Sequence, residues 1–239
     1  YEGMKVMPLD RPIGTDDFVT TRCHTQCDDI LGRISKVTKF GLLEPQLAVR
    51  MIGACSNKAF DFLAKVVPPR LLAEAATRFD KDVMSALLTI LSPAGGTFPM
   101  STDLRAKLAV QIARLAAKHG GMGIEALITK MSMAYYATTL KCSRDPRMQA
   151  RLAQVAPDMV DAYKRIVAAL PPKSILQGNK LAQVLPPTAT TLSDFSFILQ
   201  FNKFYPKCKV QKIIGDEMAQ SQRMTLRKLM KGSGPDYTA

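Results

Sequence analysis

Between Pro69 and Leu91 the chain has little choice of conformation. Leu71, Leu72, Ala75, Ala76, Phe79, Val83, Leu87, Leu88 and Leu91 recur at three- and four-residue intervals. That spacing lines them along one side of a helix, whereas a strand would scatter them over both faces. A continuous apolar stripe must be covered, so this helix packs against other elements. Val67-Pro68-Pro69 ends whatever comes before it. Proline has no amide to donate inside a helix, yet it suits the first helical position, where that donor is not needed.

The same grammar recurs along the chain. Phe18, Val19, Ile30, Leu31 and Ile34 line a helix running from Thr15 to about Val37, and Thr15 or Asp16 is its natural N-cap. After a break at Lys39-Phe40-Gly41, Pro45 opens a second helix containing Leu47, Val49, Met51 and Ile52, and Phe60, Phe62, Leu63 and Val66 continue helically after Ser56. The Pro- and Gly-rich stretch 92–99 interrupts the chain. Asp103 caps a helix over about 103–118, Gly120-Gly121 ends it, and another covers 124–141. Asp145-Pro146 opens a weaker pair over 145–155 and 158–170. Pro171-Pro172 and Pro186-Pro187 punctuate the segment after that pair. Ser193 or Asp194 caps a helix with Phe195, Phe197, Ile198, Leu199 and Phe201, and the end, 207–231, is helical and basic. Only residues 1–13 read otherwise: Met4, Val6 and Leu9 loosely alternate, and Pro8 and Pro12 exclude a helix. The expected fold is all-α, an irregular multi-helix bundle with a short extended N-terminal segment.

Composition narrows the function. Hydrophobic residues make up 47% and charged residues 22%, which is a globular balance and not a disordered one. The net charge of +13 favours a polyanionic partner, a nucleic acid or an anionic surface. No apolar run approaches the roughly 20 residues of a membrane span; the best candidate carries Arg114, Lys118 and Gly120-Gly121. The N-terminus has no signal-peptide core. Five scattered cysteines read as reduced thiols of an intracellular protein, nuclear or cytoplasmic. The start at Tyr1 suggests a fragment of a longer protein.

Three constellations raise the question of catalysis. Asp16-Asp17 looks like the paired aspartates that hold Mg²⁺ in a two-metal polymerase, but such a site needs another carboxylate from a strand well upstream, where only Glu2 and Asp10 stand. Helix capping explains the pair better. Cys23-His24 and Cys27 share a helix face, as zinc ligands do, but a structural site needs four ligands and His119 is the only other histidine; ordinary thiols in or near the core are the simpler reading. His119-Gly120-Gly121-Met122-Gly123 follows a helix, not a strand, and lacks the Gly-Lys-Ser/Thr of a phosphate loop. A tight helix–helix turn accounts for it. The basic residues carry more. Lys203, Lys207, Lys209 and Lys212 cluster beside Phe201, Phe204 and Tyr205, and Arg223, Arg227, Lys228 and Lys231 come next at near-helical intervals. Such a surface can track a phosphate backbone with aromatics for stacking, or it can be a solvated helix face with core aromatics.

Four stretches in order resemble a known family. They are GMKVMPLDRPIGTDDFV, LAVRMIGACSNKAFDFLAKVVPP, ARLAAKHGGMGIEAL and LSDFSFILQFNKFYP. Together they resemble the region just after the catalytic palm in reverse transcriptases of non-LTR retrotransposons, especially the divergent copies of protist and algal genomes. Pro8-Leu9-Asp10 departs from the family's compact Leu-Gly turn, Asn57-Lys58 from its Pro-Arg, and Lys118-His119 from its proline-bearing approach to the glycines. The resemblance implies a primer-grip-like segment over 1–14, a helical thumb-like domain over 15–92, a linker-like helical domain over 100–171 and a basic C-terminal helical segment over 188–232. It implies binding of RNA or an RNA–DNA template–primer through backbone phosphates. Lys36, Lys39, Arg50, Lys58, Lys65 and Arg70 would act in the thumb-like part, and Lys207, Lys209, Lys212, Arg223, Arg227 and Lys228 in the tail. Mg²⁺ and the catalytic aspartates would belong to an upstream palm, leaving this chain without cofactor and inactive by itself. The alternative is a helical interaction module, or a degenerate remnant of such an element, whose basic face meets an acidic protein.

Overall fold

The computed structural model describes residues 12, 14–92, 104–170, 181, 184–186, 189, 192, 196–204 and 208–232. The expected extended segment at the N-terminus lies outside them. The described chain is all-α, with no strand among the described residues. Its helices are α1 (Asp16–Gly41), α2 (Pro45–Ala59), α3 (Leu63–Val66), α4 (Pro69–Leu91), α5 (Leu104–Arg114), α6 (Leu127–Cys142), α7 (Pro146–Gln149), α8 (Leu152–Ala169), α9 (Ser196–Phe204) and α10 (Val210–Gly232), with a 3₁₀ turn at Ala117–His119.

α4 has the limits its proline and apolar stripe predict, and Pro45 stands at the start of α2. Other boundaries differ from expectation. The run after Ser56 is not continuous: a turn at 60–62 separates α2 from the single turn of α3. Phe60 buries its ring edge-on against Phe79, with centroids 5.0 Å apart, and that packing redirects the chain. α5 stops at Arg114, short of the glycines, because the next segment turns back on its end. The amides of Met122, Gly123 and Ile124 donate to the carbonyls of Ile112, Leu115 and Ala113 at 2.9–3.2 Å. These bonds satisfy carbonyls that a helix C-terminus leaves open. α6 then starts at Leu127, later than the glycines suggest. The pair expected over 145–155 and 158–170 is instead the short α7 and one helix, α8, that runs through Pro157. Leu152, Ala156, Met159, Ala162, Tyr163 and Ile166 form one buried stripe across the proline. Its burial outweighs the single backbone bond that proline forgoes.

Packing divides the chain into two compact units. The first draws on Tyr1–Cys23, Asp61–Ala73 and Ile128–Met218. Its core gathers Tyr136, Leu140, Leu152, Met159, Ile166, Leu185, Ile198, Phe201, Val210 and Ile214. Two tyrosines anchor the stretch around residue 185: Tyr136 Oη donates to the Val184 carbonyl at 2.8 Å and Tyr163 Oη to that of Pro186 at 2.7 Å. Burial raises the pKa of both phenols, which suits them to donate and not to ionise. The second unit draws on His24–Phe60, Glu74–Leu127 and Ala219–Ala239. Ile52, Phe60, Phe79, Leu87 and Ile124 are buried there. Gly41 sits where α1 ends against Ala48 and Ile90; a Cβ at that position would lie 2.8 Å from both side chains.

Candidate nucleic-acid interface

Asp16 and Asp17 occupy the first turn of α1. Thr15 caps it, its Oγ1 accepting from the Phe18 amide at 3.4 Å. Asp16 Oδ2 accepts from Arg70 Nη1 at 2.6 Å, and Arg70 Nε also donates to Asp158 Oδ1 at 2.8 Å. Arg70 thus engages the Asp16 carboxylate, and both aspartates lie at the positive end of the α1 dipole. Among the described residues no three or more His, Cys, Asp or Glu side chains gather in a way that suits a metal ion. Cys23 and Cys27 are buried, and burial pushes both thiols up to about 11. Cys27 Sγ donates to the Ala75 carbonyl at 3.6 Å. His24 turns to Glu74, with Nε2 3.7 Å from Oε2. Both sulfurs thus belong to the packing around α1.

The fold distributes the cations named from the sequence over both units. Lys36 and Lys39 are exposed on the second half of α1, and Arg50 and Lys58 on α2, all in the second unit. Lys65, at the end of α3, is exposed in the first unit. Arg70 is held between its two carboxylates, which raise its pKa further, so a phosphate there would have to compete with them. Lys209 and Lys212 are exposed in the first unit, and Arg223, Arg227 and Lys228 in the second. Lys207 lies outside the described residues. Sequence reasoning passed over Arg33, which is exposed one turn before Lys36 on α1; the three-residue spacing of Arg33, Lys36 and Lys39 is the signal that points to it.

Two of these cations share one groove. The exposed side of α2, with Leu91 and Met122, encloses a cavity of about 610 Å³ whose walls include Val49, Arg50, Gly53, Ala54, Asn57 and Lys58. Ala48, Ile52 and Ser56 bury the opposite face of α2, which fixes the helix's rotation and turns Arg50 and Lys58 outward. Asn57 sets the far wall. Its Nδ2 donates to the Gly123 carbonyl at 2.8 Å and its Oδ1 accepts from the Glu125 amide at 3.0 Å. The two bonds hold the glycine turn, and Met122 with it, beside α2. Gly120 and Gly123 have φ of 86° and 70°, a region that favours glycine. The groove is thus apolar inside and positively charged at Arg50 and Lys58. It can hold an apolar or planar group while the cations meet an anion.

Comparison with known protein families, curated proteins and solved structures gives no match for this chain. None of the described helices is long and apolar enough to cross a membrane.

Proposed function

We propose that the chain is a non-catalytic nucleic-acid-binding element that holds RNA or an RNA–DNA template–primer by its phosphate backbone, the role implied by its resemblance to the post-palm region of non-LTR retrotransposon reverse transcriptases. The observation that carries this reading is the display of cations. Lys36, Lys39, Arg50, Lys58, Lys209, Lys212, Arg223, Arg227 and Lys228 are all exposed in a chain of net charge +13. Contacts of this kind give affinity with little sequence preference and release counterions on binding.

The test is anisotropy titration of a labelled RNA–DNA hybrid over a series of salt concentrations. The expected result is a steep, linear fall of log K with log salt, with a similar response for unrelated sequences. A flat salt response overturns the reading. A second reading rests on the apolar character of the α2 groove and on the nearby exposure of Leu43 and Leu47, 81% and 49%. An acidic amphipathic segment of a partner protein would fill such a groove and pair with Arg50 and Lys58. An acidic protein ligand that binds saturably and in preference to the hybrid would favour it.

A further inference from the structure

Acidic residues stabilise the first turn of a helix, where unpaired amides leave partial positive charge. Neither α8 nor α10 has one there. Arg151 stands at the N-cap of α8 without a side-chain capping bond, and Arg147 lies one turn before it. Lys209 immediately precedes α10, and Lys212 lies in its first turn. Asp216 and Glu217 stand on the second turn of α10, and within 141–151 and 208–212 the one carboxylate is Asp145. It is engaged as the N-cap of α7, accepting from the Arg147 amide at 2.8 Å.

The two segments are distant in sequence but border one core. Leu140, Leu152 and Val210 belong to the same buried cluster of the first unit, and Cys208 packs against it. Arg144 lies within electrostatic range of Cys208. Burial raises the Cys208 thiol, and the Arg144 charge acts on it in the opposite direction. Lys141, Arg144, Arg147, Arg151, Lys209 and Lys212 are all exposed. Folding therefore collects like charges at two helix ends whose dipoles have the same sign, an arrangement that opposes stability and strengthens the local positive potential.

We propose that this patch, formed by the α6–α8 connection and the start of α10, is a phosphate-backbone binding surface of the first unit. It rests on the nucleic-acid reading above and adds three cations that the sequence did not single out: Lys141, Arg147 and Arg151. Guanidinium forks and ammonium groups at helix N-termini match phosphate oxygens, and the patch reads no base.

The experiment compares Lys141→Gln/Arg147→Gln/Arg151→Gln with a variant that removes as much charge elsewhere, Lys81→Gln/Lys107→Gln/Lys164→Gln, on the same labelled hybrid. The patch variant should weaken binding by about tenfold or more at moderate salt and lower the salt slope by roughly one for each cation lost. The matched variant should change both much less. In the unmodified chain, a photoactivatable strand of the hybrid should cross-link to peptides covering 141–151 and 208–212, a readout that needs no variant to fold. If the two variants bind alike, or the cross-links fall only elsewhere, the patch is refuted while nucleic-acid binding stands. If the chain binds no hybrid, or polyglutamate displaces the hybrid at equal charge, both readings fall.

Discussion

Cys23 and Cys27 lie one helical turn apart, and neither exposes its sulfur to solvent. Burial keeps both thiols protonated to about pH 11, whereas an accessible thiol ionises near 9.0. The folded chain thus retains protons that the unfolded chain releases in this interval. The stability they contribute is complete below pH 9 and is lost as the pH rises through 11. Thermal melts between pH 8 and 11 should show this decline, and Cys23→Ala/Cys27→Ala should make it shallower. At pH 8 a thiol reagent should label Cys55 and Cys142, which are exposed, and spare Cys23 and Cys27 until the chain unfolds. Asp80 is a second residue whose role comes from its surroundings. Its Oδ1 accepts from Arg114 Nη1 at 3.2 Å and from the Leu127 amide at 2.9 Å, so it pairs a largely buried guanidinium and caps α6 together. Asp80→Ala should lower stability by about 3–5 kcal/mol, because it removes the carboxylate that pairs a largely buried guanidinium and strips the cap from α6. A chemical denaturation curve measures this directly; a loss under about 1 kcal/mol would contradict the role given to Asp80.

At the scale of elements, prolines and apolar periods located helices well and located their ends less well. Pro45 and Pro69 open α2 and α4, and Thr15 caps α1, as local chemistry requires. The failures are at places where tertiary contacts compete with local preference. Pro157 does not break α8, because a stripe of six buried side chains spans it. α5 ends early because a returning loop satisfies its last carbonyls. That loop yields a sharp prediction. A Cβ on Gly121 would lie 2.0 Å from the Leu115 carbonyl oxygen, and backbone cannot move away as a flexible side chain can. Gly121→Ala should destabilise the chain by about 2–3 kcal/mol. It should also displace Met122 from the α2 groove, which lowers the melting temperature and loosens the turn in hydrogen exchange.

For the whole molecule the decisive quantity is the positive charge and where folding leaves it. Arg50→Gln/Lys58→Gln removes the two cations of the α2 groove without touching its buried face. It should weaken hybrid binding about uniformly across sequences and reduce the salt slope by roughly two. A change confined to particular sequences would contradict a backbone contact. The net charge, the all-α class, the long helix from Pro69 and the capping role of the Thr15–Asp17 segment were legible in the amino-acid order, since each depends on composition or on neighbours within a few residues. Which cations face solvent together was not legible. Arg70 is bound by Asp16 and Asp158, and the Arg144 charge acts on Cys208, across long separations in sequence. The first unit takes segments from three parts of the chain, and the second takes the segments between and after them. Helical periodicity says which face of a helix is buried, but it carries no information about which other helix buries it. Only the packing decides that, because burial of apolar area has no direction and each stripe accepts any partner of complementary shape.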